Sequence, residues 1–488
     1  MENLIWGTFE QLSEGLEKKQ FSSVELTKAF IARTYAIDKS LKAFLNFDEK
    51  KTLAEAEASD VRRSRGQSLG RLDGVPVGLK DIFAEKGQRL TCGSRILEHF
   101  VSPYDATVVK KLKDAGAVLW GRLNMDEFAM GSSSENSAFQ VTSNPWDLDR
   151  VPGGSSSGSA AAVAAGEVSL SLGTDTGGSV RQPASMCGVV GLKPSYGCIS
   201  RYGMVAYASS LDQAGPLART AGGVAALLQV LSGADPKDST CARMHVPDYL
   251  AAVQSSEGKK WILGVPEEYF GEGLDSEVKS SVEKAIHFYE AQGYIVKPVH
   301  LTSLEYAIPV YYIIATAEAS SNLARYDGIR YTYRSPRAKN IDEVYDQSRS
   351  EGLGEEVKRR ILLGTYVLSS GYYDAFYGKA QKVRRLIYND FMRAFAEVDV
   401  LVTPTSPVPA FKKGEKTSDP LAMYLSDLYT ISVNLAGLPA ISFPCGFTNR
   451  GLPIGCQLIG KPWEETTLLS MAYTFEKHHP FNLKIPNL

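Results

Sequence analysis

Residues 153–191 form the most unusual stretch of the chain, because small residues fill most of its positions. Nine glycines and eight serines occur among these 39 residues, and only three of the residues are charged. A flexible linker can have this composition, but a linker does not contain the runs AAAVAA at 160–165 and VSLSL at 168–172. Such small and apolar residues suit closely packed helices and central strands. The stretch therefore predicts a buried core in which glycines let the backbone approach a ligand and serines supply hydroxyl groups.

The overall composition is that of an ordinary globular protein. The 488 residues include 53 Lys and Arg against 55 Asp and Glu, which gives a net charge of −2, and 44% are hydrophobic. This balance argues against a dedicated nucleic-acid or membrane-surface protein and excludes wholesale disorder. The residues from Met1 onward lack the basic and apolar regions of a secretory signal, and no apolar run is long enough to span a membrane. We therefore expect a soluble, cytoplasmic protein.

Helical and strand patterns alternate along the chain. A helical pattern followed by a buried-type strand occurs at 106–120, 276–296 and 380–402. This recurrence predicts an α/β/α fold with a large mixed sheet and helices on both of its faces. Since no linker rich in Pro or Ser interrupts the chain, we expect one domain. Its expected parts are N-terminal helices over 1–60, a core with the site over 70–220 and a mostly helical insert over about 305–395.

Several kinds of site are compatible with a Gly/Ser-rich core. Residues 173–179 could cradle an anion, but they lack the lysine of a phosphate-binding loop. Residues 154–158 match the G-x-S-x-G pattern with Ser156 at its centre, but turn residues precede them, whereas that motif must follow a strand. None of the six histidines lies in a site-like segment. Neither a Ser-His-Asp hydrolase nor a metal hydrolase is therefore predicted.

Activation of a serine by a lysine remains as an option. A lysine acts as a base only when it is neutral, and burial disfavours its charged form. Lys80 is the best candidate, because it ends the apolar strand segment 75–79. The alternative is that Lys80 simply caps the strand end in solvent. Ser276 and Lys279 also have a Ser-x-x-Lys spacing, but we place them on the polar face of a surface helix.

Three segments together resemble the amidase signature family. They are GVPVGLKD at 74–81, GGSSSGS at 153–159 and GTDTGGSVRQPA at 173–184. Their order and the step of 24 residues from Ser155 to Ser179 also fit, and the resemblance covers nearly the whole chain. The segments that extend it lie at 188–195, 404–405, 437–439 and 451–455. Ser157 departs from the family pattern, which often has glycine there, and a small residue at this position is expected to be harmless.

Residues 318–330 and 371–375 resemble one branch of this family, the glutaminase (A) subunits of glutamyl-tRNA(Gln)/aspartyl-tRNA(Asn) amidotransferases. The resemblance implies that the chain hydrolyses glutamine and supplies ammonia within a heterotrimer with amidotransferase subunits B and C, in which the small C subunit braces the pair. It implies that misacylated tRNA binds mainly to the B subunit, with ATP and Mg²⁺, and that this chain holds no cofactor or metal. A stand-alone amidase acting on another carboxamide and an idle scaffold subunit remain alternatives, the second disfavoured by the intact signature residues.

The resemblance also assigns catalytic roles to residues of this chain. It implies that Ser179 is the nucleophile, that Ser155, in a cis peptide arrangement, is the bridging hydroxyl, and that Lys80 is the base. The backbone N–H groups of Thr176, Gly177, Gly178 and Ser179 are expected to converge on the oxyanion. The glycines would keep side chains out of that space.

Recognition of free glutamine needs a cation for the α-carboxylate and an anion for the α-ammonium group. Arg360 and Asp427, with Tyr311, resemble the family positions that make these contacts, and an arginine suits a carboxylate because its fork is bidentate. Arg359 and Tyr312 are adjacent alternatives, so a register shift of one residue stays open.

Cysteine chemistry is the natural rival mechanism, since Cys187 lies close after Ser179 in the sequence. Cys187 belongs to the apolar run 186–191, which contains no neighbouring base, and this suits an inert buried thiol. No CxxC pair occurs in the chain, so disulfide or zinc sites are not predicted. The six cysteines, at positions 92, 187, 198, 241, 445 and 456, are expected to be reduced core residues.

Overall fold

One mixed sheet of 11 strands forms the centre of the computed structural model, which describes residues 2–254 and 258–488. The strands are β1 (Phe44–Asn46), β2 (Pro76–Lys80), β3 (Val118–Leu123), β4 (Leu170–Asp175), β5 (Val190–Lys193), β6 (Gln213–Ala218), β7 (Ile262–Pro266), β8 (Ile295–Val299), β9 (Val400–Pro404), β10 (Ala440–Phe447) and β11 (Pro453–Gly460). Their order across the sheet is β1-β3-β2-β4-β6-β5-β10-β11-β9-β7-β8. Strand β2 runs parallel to β3 and β4, and β7 runs parallel to β8 and β9, while the other neighbours are antiparallel. The expected mixed sheet is confirmed.

Helices occupy much of the remaining chain. They are α1 (Glu2–Ile5), α2 (Phe9–Glu17), α3 (Ser23–Leu41), α4 (Glu49–Ser64), α5 (Thr107–Asp114), α6 (Ser157–Ala164), α7 (Arg181–Cys187), α8 (Ala221–Leu231), α9 (Tyr249–Gln254), α10 (Ser276–Ala291), α11 (Ala307–Asn322), α12 (Ile341–Gly352), α13 (Glu355–Val367), α14 (Lys379–Glu397), α15 (Pro420–Tyr424), α16 (Leu428–Leu435) and α17 (Glu465–His478). Within the described part of the chain, none is both long and apolar enough to cross a bilayer.

Two clusters of buried apolar side chains pack against the sheet, as an α/β/α arrangement requires. Leu217 and Ala218 are neighbours in β6 but belong to different clusters, because successive side chains of a strand point to opposite faces. The smaller cluster contains Ala160 of α6 and Ala184 of α7. The small residues of the Gly/Ser-rich stretch therefore form the close packing between these helices and the sheet.

The N-terminal segment differs from the all-helical expectation for residues 1–60. Residues Phe44–Asn46 form the edge strand β1, which pairs antiparallel with β3. Met1, where the expected helical segment starts, lies outside the described residues. Residues 305–395 are mostly helical, with α11 packed against α13 and α16.

Candidate active site

The candidate site lies where the parallel strands β2 and β4 end. Lys80 is the last residue of β2, and the turn that follows β4 carries Ser179 into α7. Ser155 and Ser156 lie just before α6, and the Ser156 N–H donates to the Ser179 carbonyl at 3.2 Å. Because neighbouring parallel strands end at the same edge of a sheet, their carboxyl ends are the usual location of a site in such folds.

The Lys80 ammonium group is enclosed by hydroxyl groups. Its Nζ lies 2.8 Å from Ser155 Oγ, 2.9 Å from Ser156 Oγ and 2.8 Å from Thr174 Oγ1. Complete burial lowers the pKa of Lys80 to about 7, although the negative charge of Asp126 opposes this shift. The alternative in which Lys80 caps the strand in solvent is therefore wrong.

Ser155, the expected bridging hydroxyl, and Ser179, the expected nucleophile, have different surroundings. The peptide bond between Gly154 and Ser155 is cis, as the family resemblance implies. The Gly154 N–H donates to Gln182 Oε1 at 2.9 Å. Ser179 is 8% exposed, and its hydroxyl makes no hydrogen bond to a residue in the described ranges. This leaves the Ser179 oxygen free to meet a substrate.

A buried ion pair holds the turn that carries Ser179. Arg181 Nη2 lies 2.9 Å from Asp175 Oδ1 and Arg181 Nε lies 3.0 Å from Asp175 Oδ2. Burial opposes ionisation of Asp175, but the Arg181 charge outweighs it and lowers the Asp175 pKa to about 2. Sequence reasoning missed this pair, although these are two of the three charges in the small-residue stretch.

The proposed oxyanion donors are not all available. The Gly178 N–H, expected to donate to the oxyanion, donates to Asp175 Oδ1 at 2.9 Å in this structure and is therefore already engaged. The N–H groups of Thr176, Gly177 and Ser179 make no hydrogen bond to other described residues. Gly178 has a φ of 136°, and a Cβ atom there would lie 2.1 Å from Thr430 Oγ1. Its glycine is therefore required for the shape of the turn.

Arg360 points inward from α13 and is enclosed by aromatic rings. Its Nη1 donates to Tyr207 Oη at 2.6 Å, and its Nε donates to Glu356 at 2.7 Å. The guanidinium lies 5.3 Å from the ring centre of Tyr312. The neighbouring Arg359 side chain is 51% exposed. The structure thus turns Arg360, and not Arg359, towards the interior.

Tyr311 and Asp427 lie near the same turn. A Cβ atom on Gly177 would lie 2.6 Å from Tyr311 Oη, so the Tyr311 hydroxyl reaches the turn before Ser179. Asp427 accepts a hydrogen bond from the Ser132 hydroxyl. Burial raises the pKa of Asp427 to about 7, while Ser132 and the charge of Arg360 lower it. Thr430 Oγ1 lies 2.6 Å from the Gly177 carbonyl oxygen and 3.0 Å from the Asp427 carbonyl oxygen, so Tyr311 and Asp427 are both close to the predicted oxyanion turn.

A cavity of about 250 Å³ opens beside these residues. Ser133, Glu135, Asn136, Arg360 and Tyr424 are among its lining residues. Of the predicted recognition residues, Arg360 lines this cavity, and the adjacent Arg359 lines it as well. The cavity also brings into the site the segment around 131–136, for which the sequence analysis gave no role.

The cysteines and the Ser276–Lys279 pair lie where the sequence pattern predicts them. All six cysteines are buried and free. The Cys187 thiol donates to the Pro152 carbonyl at 3.3 Å, and burial raises its pKa, which makes it a poor nucleophile. Ser276 and Lys279 are exposed on α10. Across the described ranges, no group of three or more His, Cys, Asp or Glu side chains is placed to hold a metal ion.

Sequence comparisons relate the chain to proteins of known family. Residues 25–469 match the protein family described as Amidase. The A subunit of glutamyl-tRNA(Gln) amidotransferase from Carboxydothermus hydrogenoformans is 55% identical over 486 residues, which cover 99% of this chain and 100% of that protein. The protein of the same name from Myxococcus xanthus is 57% identical over 97% of each chain.

Solved structures of similar fold include one of the same kind of subunit. The A subunit of glutamyl-tRNA(Gln) amidotransferase from Thermotoga maritima matches with a TM-score of 0.80 and 43% identity, covering 99% of this chain and 97% of that one. A 6-aminohexanoate cyclic dimer hydrolase matches with a TM-score of 0.85 and 26% identity, covering 99% of each chain. The chain therefore belongs to the amidase family, within a group of relatives that includes the A subunits of glutamyl-tRNA(Gln) amidotransferases.

Proposed function

We propose that this chain is the glutaminase subunit of a tRNA-dependent amidotransferase. The observation that carries the proposal is the buried Lys80 amine, 2.8 Å from Ser155 Oγ. A lysine with a pKa of about 7 is neutral often enough to accept a proton at physiological pH. The choice of glutamine and of a tRNA-linked reaction rests on relatives that share 54–57% of their residues with this chain.

Hydrogen-bond directions around Lys80 support its role as the base. Ser156 Oγ donates its one proton to the Thr174 carbonyl at 3.1 Å, so it accepts an N–H from Lys80. A neutral amine has two N–H groups and one lone pair. We assign the second N–H to Thr174 Oγ1, which lies 2.8 Å from Nζ, so that the lone pair faces Ser155. Once the Ser179 hydroxyl turns to hydrogen-bond to Ser155 Oγ, Ser155 can pass a proton from Ser179 to Lys80.

Ser179 then attacks the side-chain amide carbon of glutamine. The free N–H groups of Thr176, Gly177 and Ser179 can stabilise the oxyanion, and one such donor contributes about 2.7–4 kcal/mol. The proton held by Lys80 returns through Ser155 to the leaving ammonia. Water then hydrolyses the acyl-enzyme ester by the same proton route, releasing glutamate and restoring the Ser179 hydroxyl.

The two charged ends of free glutamine are assigned to Arg360 and Asp427. Arg360 would bind the α-carboxylate, and Asp427, already oriented by Ser132, would bind the α-ammonium group. We expect Arg360→Lys to raise the KM for glutamine about 10–100-fold, because a point charge replaces a bidentate fork. Arg359→Lys is the matched control and should leave KM unchanged. Steady-state glutamine hydrolysis measures both, and equal KM values for the two variants would contradict the assignment.

The remaining parts of the reaction are assigned to partner proteins. The B subunit would bind ATP, Mg²⁺ and most of the misacylated tRNA, the C subunit would brace the pair, and the assembly would be cytoplasmic. Leu362, Leu363 and Tyr366 of α13 are exposed by 71%, 45% and 49%. Exposed apolar side chains grouped in this way are typical of a subunit interface.

The test is a glutaminase assay of the chain alone and with the two partner proteins, ATP and misacylated tRNA. We expect glutamate release that depends on Ser179 and rises when the partners are present. Hydrolysis of other carboxamides without hydrolysis of glutamine would contradict the proposal and favour a stand-alone amidase. Glu-tRNA(Gln) and Asp-tRNA(Asn) are compared as acceptors in the same assay.

A further inference from the structure

Asp126 is a buried carboxylate outside the three signature segments, and it is fully enclosed. Its two oxygens accept backbone N–H groups from a loop that we call the serine loop, residues 131–136. Asp126 Oδ2 accepts from Ser134 at 3.0 Å, and Oδ1 accepts from Asn136 at 3.1 Å. Both carboxylate oxygens therefore hold the same loop.

Asp126 also contacts the peptide that presents Ser155. Its backbone N–H donates to the Ser155 carbonyl at 3.3 Å. A Cβ atom on Gly154 would lie 2.1 Å from Asp126 Oδ2, so the carboxylate packs directly against this peptide. Asp126 therefore lies between the serine loop and the segment that contacts Lys80.

The serine loop leads to the recognition end of the site. The Ser132 hydroxyl donates to Asp427, and the Ser132 carbonyl accepts from Gln182 Nε2 at 2.9 Å. Ser133, Glu135 and Asn136 line the cavity beside Arg360. A shift of this loop would therefore move Ser132, which orients Asp427, and would change the wall of the cavity that Arg360 also lines.

We propose that Asp126 is a positioning residue for glutamine hydrolysis, which holds the serine loop against the Gly154–Ser155 peptide and thereby fixes Asp427 relative to the proton-transfer residues. This inference rests on the proposed function. Asp126 acts through its neighbours, since it contacts the loop and the peptide and not the reacting serine oxygen.

The charge of Asp126 affects the pKa of Lys80. Loss of a purely structural contact would leave that pKa unchanged, so the pKa distinguishes the two roles. The carboxylates of Asp126, Asp175 and Asp212 raise the pKa of Lys80 by their charge, and Asp126 has the largest effect, while burial keeps the Cys92 thiol neutral in this range. The charged groups acting on Asp126 are Lys80 and Glu135. Burial raises the pKa of Asp126 to about 6, so Asp126 is mostly ionised near pH 7, the pKa of Lys80, and becomes protonated below pH 6. Removing this negative charge should lower the pKa of Lys80.

The experiment compares Asp126→Asn, Asp126→Glu and the control Asp60→Asn in the complex with both partner proteins. Asp60 also accepts two backbone N–H groups, from Ser23 at 2.7 Å and Val24 at 3.1 Å, but it lies on α4. The measurements are circular dichroism, KM for glutamine, and kcat/KM against pH. Phenylmethylsulfonyl fluoride labels Ser179, and mass spectrometry follows the labelling. Its pH dependence reports the titration of Lys80 without glutamine.

We expect Asp126→Asn to raise KM at least about tenfold and to move the acid limb of both pH profiles to lower pH. Asp126→Glu keeps the charge but is too long for the space beside Gly154, so it should raise KM without moving the limb. Asp60→Asn should change neither quantity.

An unchanged KM in either folded Asp126 variant, or an unchanged acid limb in Asp126→Asn, would overturn the proposal. If Asp126→Asn does not fold, the KM of Asp126→Glu is the test: a raised KM supports the positioning role, and an unchanged KM overturns it. If the wild-type complex were labelled at Ser179 but hydrolysed no glutamine, the proposed function would be refuted. The acid limb of the pH profile for Ser179 labelling would still test the role of Asp126.

Discussion

The proton affinity of Lys80 sets the pH range in which the proposed site can work. Because burial lowers its pKa to about 7, the neutral amine is scarce below pH 7 and predominates above it. We expect kcat, measured at saturating glutamine so that the bound α-ammonium group keeps Asp427 ionised, to rise about tenfold per pH unit below pH 7 and to level off above it. Lys80→Arg should be inactive at every pH, since arginine stays charged. A flat wild-type profile between about pH 5.5 and 8.5 would contradict a lysine base.

The hydroxyls of Ser156 and Thr174 are expected to orient the Lys80 lone pair. Thr174→Val and Ser156→Ala each remove one acceptor, and an unmade hydrogen bond of this kind costs about 1–3 kcal/mol. We expect kcat to fall about 10–100-fold with little change in KM. Thr174→Ser keeps the hydroxyl and serves as the control. If Thr174→Val and Thr174→Ser were equally active, the proposed orientation would be wrong.

The turn between β4 and α7 depends on the ion pair of Asp175 and Arg181. Arg181→Met would leave a buried carboxylate unpaired, which costs about 3–5 kcal/mol of unfolding free energy. Arg337→Met, at an exposed pair with Glu351, should cost less than about 1 kcal/mol. Urea unfolding measures both, and equal costs would contradict a structural role for the buried pair.

The sign of the pH dependence follows from the pKa of Asp175, which folding lowers from its ordinary value of 3.8 to about 2. The stabilisation is fully present above the unfolded pKa and is lost as the pH falls towards the folded one. Unfolding free energy should therefore decrease between about pH 4 and pH 2 in the wild type. This part of the decrease should be smaller in Arg181→Met.

The pattern of helices and strands predicted the fold class, but it did not predict every element. Strand β1 has only three residues, too few to show an alternating pattern, so the sequence did not indicate a strand between α3 and α4. The position of β5 between β6 and β10 depends on long-range pairing, which sequence periodicity does not encode. Local patterns thus identify an α/β sheet without giving its strand order.

The site was predictable to the extent that it lies in recognisable segments. Lys80, Ser155 and Ser179 stand in the three segments that resemble the family, and the fold brings those segments to one edge of the sheet. Thr174 belongs to one of these segments, but its contact with Lys80 exists only once β2 and β4 pair. Asp126 lies outside all three, so only the tertiary structure reveals its contacts with the serine loop.

At the scale of the whole molecule, the proposal separates the source of ammonia from its use. This chain carries the proposed glutaminase residues, and the acceptor tRNA and ATP are assigned to a partner. Ser179 is the residue that best separates the two activities, because its hydroxyl makes no hydrogen bond within the described part of the chain. Its removal should leave the fold and the assembly intact.

The most direct test measures amidated tRNA formed by the reconstituted complex that contains Ser179→Ala, with either glutamine or a high concentration of ammonium salt as the nitrogen donor. Loss of a nucleophile of this kind lowers kcat by roughly 10⁴–10⁶. We expect glutamine-dependent amidation to disappear while ammonium-dependent amidation persists. Loss of both activities in an assembled complex would contradict the separation of donor and acceptor sites, and retention of the glutamine-dependent activity would show that Ser179 is not the nucleophile.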